Sequence, residues 1–292
     1  MLRLVIPKGS LENQTLALFE AADIRLLRGS DRDYHGTVDD PRIDRFSLLR
    51  PQEIPRYVED GFFDLGLTGL DWVQETGAKV ETVAELPYTK GYIGAKVRIV
   101  LAVSEQSGIS EASQIKPDSR ISTEYPDLTK RFFAELGIPV KIFLSYGATE
   151  AKVPEIVDAI VDVTETGSTL RRNGMRIIHT LLESPTLLIA NPSAYADASK
   201  RKAIEEIRIL LMGAIDARGK VLVKLNVHED RLQDILGVLP SLKAPTVSKL
   251  AEQAFFAVET VVEKSAINVL IPTLKARGAA DILELPITKI VD

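Results

Sequence analysis

Cysteine is absent from the 292 residues, which excludes disulfides, thiolate metal sites and cysteine nucleophiles together and points to a reducing, cytoplasmic setting. Histidine is scarce too. His35, His179 and His228 stand far apart, too scattered for a histidine-rich metal site. No apolar run approaches the roughly 18 residues that a membrane span requires. The short apolar opening is closed by Pro7 and Lys8, before the core of a signal peptide would be complete. Neither sign of charge dominates: 36 Lys+Arg against 41 Asp+Glu leaves a net charge of −5. A weakly acidic chain is a poor coat for nucleic acid or for an anionic membrane, so neither is expected as a partner. Familiar nucleotide and hydrolase signatures are also missing. There is no G-x-x-x-x-G-K-[ST], no G-x-G-x-x-G and no G-x-S-x-G. His228-Glu229 is followed by Leu232 where a zinc-protease helix needs its second histidine.

What the chain does contain is alternation. It is 45% apolar, and at about 100–200 residues per domain its length suggests two or three domains. β-branched runs at residues 3–6, 98–103, 140–144, 159–163 and 186–190 read as buried strands. Helical patterns lie between them. One opens at Ser10-Leu11-Glu12, one runs from Pro51 to about Gly61 with proline in its first turn, and one covers 129–136 before Gly137 and Pro139. This order predicts an α/β architecture with mostly parallel sheets. After a helix over 198–218, the chain changes character at Arg218-Gly219. Strands at 220–225, near 246–250, at 255–262 and at 282–285, with helices at 229–236 and 266–276, give the order βαββαβ of a ferredoxin-like unit, despite Pro272 inside the second helix. His179 lies in an apolar run and reads as a core histidine; His35, His228 and Asp64 read as loop or turn residues.

The most informative stretch is residues 159–170, AIVDVTETGSTL. An apolar strand runs into a loop with four hydroxyl side chains and one glycine. Glycine lets a phosphate approach the backbone, successive N–H groups can converge on it, and hydroxyls add donors. Asp162 at the strand end could accept hydrogen bonds from ribose hydroxyls beside that phosphate. The same composition also suits a Thr/Ser-rich turn that caps a short helix, and the residues alone leave both readings open.

This stretch, with Glu150 upstream and Arg171-Arg172-Asn173-Gly174 downstream, resembles the phosphoribosyl-diphosphate signature of the ATP phosphoribosyltransferases. Three further segments carry the resemblance in order. They are the opening Leu4-Val5-Ile6-Pro7-Lys8-Gly9-Ser10-Leu11, the run from Arg50 to Asp71 with Asp64-Leu65-Gly66-Leu67-Thr68-Gly69-Leu70-Asp71, and a C-terminal part like the regulatory domain of the family's long form. The match spans essentially the whole chain. Glu155-Ile156, where the family carries a glycine, and the anionic Glu165 within the loop depart from its pattern.

The resemblance implies that N1 of ATP joins C1 of phosphoribosyl diphosphate with release of pyrophosphate, the first step of histidine biosynthesis. It implies Mg²⁺ as cofactor, carried by substrate phosphates and water with no protein metal ligands. It implies histidine as feedback inhibitor and a homo-oligomer, dimer to hexamer. Asp162, Lys8 and Arg50 are the expected catalytic residues. Asp162, Thr164, Glu165, Thr166, Gly167, Ser168 and Thr169 are expected to bind phosphoribosyl diphosphate. Lys8, Gly9, Ser10, Thr68, Gly69 and Asp71 are expected on the ATP side, although Asp71 could equally cap the following helix. Thr246, Leu250 and Ala257 match positions near the histidine site. The implied fold is a two-lobed, periplasmic-binding-protein-like catalytic part, with residues 1–94 and 184–217 as lobe I and 95–183 as lobe II, followed by a regulatory domain at 218–292. Two other readings compete: a non-catalytic two-lobed small-ligand sensor with a ferredoxin-like effector module, and a phosphoribosyltransferase acting on another base.

Overall fold

The first strand, β1 (Leu2–Pro7), is buried along nearly its whole length, as expected for a strand covered on both faces. It leads through the Lys8–Ser10 turn into α1 (Glu12–Ala21). Then follow β2 (Leu26–Leu27), β3 (His35–Val38), β4 (Ile43–Leu49), α2 (Ile54–Glu59), β5 (Leu65–Gly69), α3 (Leu70–Thr76) and β6 (Glu81–Leu86). The computed structural model describes residues 1–89, 96–240, 244–251 and 254–291. The second group comprises β7 (Val97–Ser104), β8 (Arg120–Thr123), α4 (Pro126–Glu135), β9 (Lys141–Leu144), a 3₁₀ turn at Thr149–Lys152, β10 (Ala159–Thr164), α5 (Ser168–Arg172) and β11 (Met175–Ser184). The chain then supplies β12 (Thr186–Ala190), α6 (Pro192–Ala196) and α7 (Ala198–Ala217).

These elements build two sheets. The seven-stranded sheet has the order β2-β3-β4-β1-β5-β12-β6, and the five-stranded sheet β11-β7-β10-β8-β9. Because β12 returns to the first sheet, its lobe is made of two stretches of chain. The crossing back occurs at Ser184–Thr186; the other crossing, expected at Ala95, lies outside the described residues. Both sheets are mixed, which corrects the expectation of mostly parallel pairing. β1 pairs parallel with β4 and β5, and β8 parallel with β9 and β10. The strands next to the crossings run the other way: β7 is antiparallel to β10 and β11, and β12 to β5 and β6. Buried strands read as apolar runs in either direction, so composition carried no sign of this.

Compact units divide at Arg208/Ile209, inside α7, and the first strand of the second unit starts just after Arg218-Gly219. A helix carries no turn signal in its middle, whereas Arg218-Gly219 is the visible break that ends it. In the second unit, β13 (Lys220–His228) alternates strictly between buried and half-buried residues, the period of a strand with one covered face. It is joined by α8 (Leu232–Leu236), β14 (Thr246–Lys249), β15 (Phe255–Glu263), α9 (Ile267–Ala276) and β16 (Ala280–Pro286). The antiparallel sheet order β14-β15-β13-β16 is that of a ferredoxin-like βαββαβ unit. Val221, Val223, Leu225 and Val227 pack with Ile235, Leu270 and Leu274. Leu274 is fully buried, so Leu274→Ala is expected to destabilise this unit by about 2–5 kcal/mol, read as an earlier melting transition. No helix among the described residues is long and apolar enough to cross a membrane.

Smaller expectations also change. α2 begins at Ile54 with Pro55 in its first turn, so Pro51 belongs to the preceding turn. Asp64 is buried and accepts from Arg3 and Lys200; it pins the β1–β5 ends together. His179 is exposed on β11 beside Phe132, between two irregularities in the β11–β7 register that sequence periodicity does not show. His35 and His228 lie at strand ends.

Candidate active site

A cavity of about 530 Å³ opens in the first unit. One wall comes from the loop that follows β10. Gly167 turns the chain with φ +73°, a left-handed value that costs glycine little and other residues more. Its N–H donates to Thr164 Oγ1 at 2.8 Å, and Ser168 N–H donates to Thr166 Oγ1 at 3.3 Å. The bend is therefore held by its own hydroxyls. It presents Thr164, Glu165, Thr166, Ser168 and Thr169 to the cavity, while Gly167 forms the corner behind them.

Asp162 faces the same space from β10. Its Oδ1 accepts from Val163 N–H at 2.7 Å. Burial pushes its pKa up to about 6, with the Glu124 and Glu150 carboxylates adding to the rise, while the Val163 hydrogen bond and Lys152 oppose it. Glu150, on the 3₁₀ turn, and Glu124, directly after β8, also line the cavity. Register explains why Glu124 is there. Val161 pairs with Thr123 across the parallel β10–β8 ladder, so the next residues on each strand, Asp162 and Glu124, emerge at the same end. Glu124 was not among the sequence candidates; nothing in Thr123-Glu124-Tyr125 is a motif, and only the ladder brings it to Asp162.

The opposite wall is formed by Ser10, Leu11, Pro51, Gln52, Gly69 and Asp71, among others. Lys8, Gly9 and Arg50 stand beside this wall and are not part of it. Gly9, with φ +101°, lets the chain turn where a Cβ would lie 3.4 Å from Arg50 Nη1. Arg50 is exposed, and Lys8 lies over the ring of Tyr34. Thr68, expected on the ATP side, is fully buried and donates its hydroxyl to Pro51 O at 2.9 Å, so it shapes the Pro51 corner from behind.

Asp71 reaches the cavity wall with both carboxylate oxygens engaged. Oδ1 accepts from Ser184 Oγ at 2.7 Å and Oδ2 from Tyr125 Oη at 2.8 Å, while Asp71 N–H donates to Ser184 Oγ at 2.9 Å. Burial raises its pKa and these hydrogen bonds oppose the rise. Tyr125 also stacks on Trp72, with centroids 4.5 Å apart. Gly69 has no room for a side chain, since a Cβ would come 1.9 Å from Asp71 Oδ1. Among the described residues, no group of three histidine or acidic side chains is arranged to hold a metal ion.

In the second unit, Thr246, Ala257 and Leu250 gather along the β14–β15 ribbon. Thr246 is exposed opposite Glu259, Ala257 lies opposite Ser248 and Asn226, and Leu250 N–H donates to Phe255 O at 2.9 Å.

Comparison with known proteins shows the family. The family described as ATP phosphoribosyltransferase matches residues 50–213, and the one described as HisG, C-terminal domain, matches residues 217–289. The ATP phosphoribosyltransferase of Solibacter usitatus is 49% identical over 100% of this chain and 99% of its own length. That of Pelotomaculum thermopropionicum is 46% identical over 99% of each. A solved ATP phosphoribosyl transferase (HisG:HisZ) complex from Thermotoga maritima has a chain similar to 73% of this one, covering 99% of its own length with 26% identity and a TM-score of 0.61. Full-length likeness to named transferases disfavours the sensor reading. With residues 50–213 and the C-terminal unit both matched, this chain belongs to the ATP phosphoribosyltransferase family, in the long form that carries a C-terminal domain.

Proposed function

We propose that the cavity binds phosphoribosyl diphosphate with its 5-phosphate in the 164–169 bend and its ribose hydroxyls toward Asp162, while ATP enters from the Ser10–Gly69 side. The observation that carries this reading is the juxtaposition of a hydroxyl-lined, glycine-cornered bend with Asp162 in one cavity. The N1 lone pair of adenine forms the new bond to C1 as the C1–O bond to pyrophosphate breaks, with inversion. N1 has no proton to lose before attack, so a general base is not required, and positioning with electrostatics supplies most of the rate. Positive charge that develops at the anomeric carbon is stabilised by the Asp162 carboxylate, with Glu124 and Glu150 reinforcing the negative potential. Lys8 and Arg50 are assigned to pyrophosphoryl or triphosphate oxygens.

Mg²⁺, when bound, neutralises leaving-group charge. This ion favours phosphate oxygens and water, so it is assigned to the phosphates of the substrates. The reading places the enzyme in the cytoplasm as a homo-oligomer between dimer and hexamer. Its C-terminal unit is assigned to inhibition by histidine through Thr246, Leu250 and Ala257.

Mixing the protein with ATP, phosphoribosyl diphosphate and Mg²⁺ is expected to yield a new ultraviolet-absorbing nucleotide and pyrophosphate. A folded preparation that makes no product and binds neither substrate would refute the reading. Gly167→Val places a β-branched residue at positive φ, with Arg171 Nη1 and Ile177 Cδ1 each 3.0 Å from its Cβ. Strain of roughly 1–3 kcal/mol at the bend is expected to weaken phosphoribosyl diphosphate binding about tenfold or more, measured by calorimetry; unchanged affinity would move the phosphate elsewhere. Thr246→Tyr suits an exposed strand position and is expected to raise the histidine concentration for half-inhibition about tenfold with the uninhibited rate unchanged. Equal inhibition of both proteins would remove the β14–β15 ribbon from the effector site.

A further inference from the structure

Several lysines of this protein direct their ammonium groups into internal hydrogen bonds. Lys200 Nζ donates to Asp64 Oδ1 at 2.8 Å, Lys152 Nζ to Ser145 Oγ at 2.6 Å and Lys224 Nζ to Glu259 Oε1 at 2.7 Å. Lys8 is held differently. Its Nζ lies 4.5 Å from the ring centroid of Tyr34 and 3.9 Å from Glu12 Oε2, beyond hydrogen-bonding range. Glu12 spends its hydrogen bonds elsewhere, its Oε1 accepting from Arg28 Nη1 at 3.0 Å and its Oε2 from Gly9 N–H at 3.4 Å. An aromatic face attracts a cation through its quadrupole and uses none of its N–H donors. The ammonium is thereby located in space with its three hydrogens still available to an anion.

Tyr34 follows directly on a turn closed by its own hydrogen bonds. Ser30 N–H and Oγ donate to the Asp33 carboxylate at 2.8 and 3.2 Å, and Asp33 N–H donates back to Ser30 O at 3.1 Å. Gly29 fits because a Cβ there would lie 2.9 Å from Asp33 Oδ2. Leu48 N–H donates to Tyr34 O at 2.8 Å, which ties the residue to β4 just before Arg50. The residue is 54% solvent-exposed, so core packing does not account for its placement over Lys8.

We propose that Tyr34 is a positioning residue for the transfer reaction: its ring face fixes the Lys8 ammonium beside the Gly9–Ser10 turn, ready for the phosphoryl oxygens of a substrate. This rests on the assignment of Lys8 to those oxygens. Steady-state kinetics on the full chain with ATP, phosphoribosyl diphosphate and Mg²⁺ tests it. Tyr34→Phe keeps the ring and is expected to retain the parental kcat/KM. Tyr34→Ala is expected to lose about two- to fivefold, the range for a cation over an exposed ring. In a Lys8→Ala background the same change is expected to cost nothing more, since two residues acting through one interaction are not additive. A loss of equal size in both backgrounds, or a Phe variant as impaired as the Ala variant, overturns the proposal. A silent Lys8→Ala withdraws Lys8 from the site and the proposal with it. A damaging Lys8→Ala beside a harmless Tyr34→Ala overturns the role of Tyr34 alone.

Discussion

Asp162→Asn is expected to give a protein that melts later than the parent and turns over about 10²–10³-fold more slowly. Both effects have one origin. The folded-state pKa of about 6 lies above the ordinary 3.8, chiefly through burial, so the fold binds this proton more tightly than the unfolded chain does. The stability linked to that proton is fully present below 3.8 and is lost as pH rises through about 6. At neutral pH the ionised carboxylate then costs on the order of 3 kcal/mol in the empty protein. Asparagine removes the charge and keeps an oxygen for Val163 N–H, and recovery of even part of that cost raises the melting temperature by a few degrees. The same substitution deletes the anion that the transition state needs. Calorimetry of the ligand-free protein at pH 7 and turnover at saturating substrates read the two effects separately. A variant that melts earlier and turns over normally would contradict both. For the parent, kcat/KM for phosphoribosyl diphosphate is expected to fall below pH about 6 as Asp162 takes up its proton, and Glu124→Gln is expected to move that limb to lower pH.

The parts of this molecule that could be read from the chain are those in which neighbours in sequence are neighbours in space. The 159–170 stretch is a strand, a bend and a helix start within a dozen positions, so Asp162 and the hydroxyls of residues 164–169 reach one cavity by local geometry. The alternation of β13 likewise announces a sheet with one covered face. Long-range partners leave no such trace. Asp71 looks like a helix-capping aspartate from its surroundings, yet its hydrogen-bond partners are Tyr125 and Ser184. Thr68 has the composition of a ligand-binding residue and is spent on Pro51 O. The direction of β7 and β12 is equally hidden, because it depends on where the chain crosses between sheets.

Glu75→Ala is expected to show how much the cavity depends on a clasp along one side of it. The α3 carboxylate reaches across to the first turn of α4: Oε1 accepts from Asp127 N–H at 2.9 Å and Oε2 from Leu128 N–H at 2.8 Å. These are free donors of a helix start, here capped by a residue from the other lobe. Arg131 Nη2 donates to Gln74 O at 2.7 Å on the same seam, and the Trp72–Tyr125 stack and the Asp71–Tyr125 hydrogen bond continue it. Alanine leaves both N–H groups without their charged acceptor, a loss of about 2–4 kcal/mol, or several degrees in melting temperature. Because the seam joins the two sides that line the cavity, loosening it is expected to lower kcat/KM about tenfold or more through misalignment. Small-angle scattering of the ligand-free variant is expected to show a larger radius of gyration, which saturating phosphoribosyl diphosphate reverses. Unchanged scattering together with unchanged melting would mean that the lobes do not depend on this seam, with Glu75 a helix cap and nothing more.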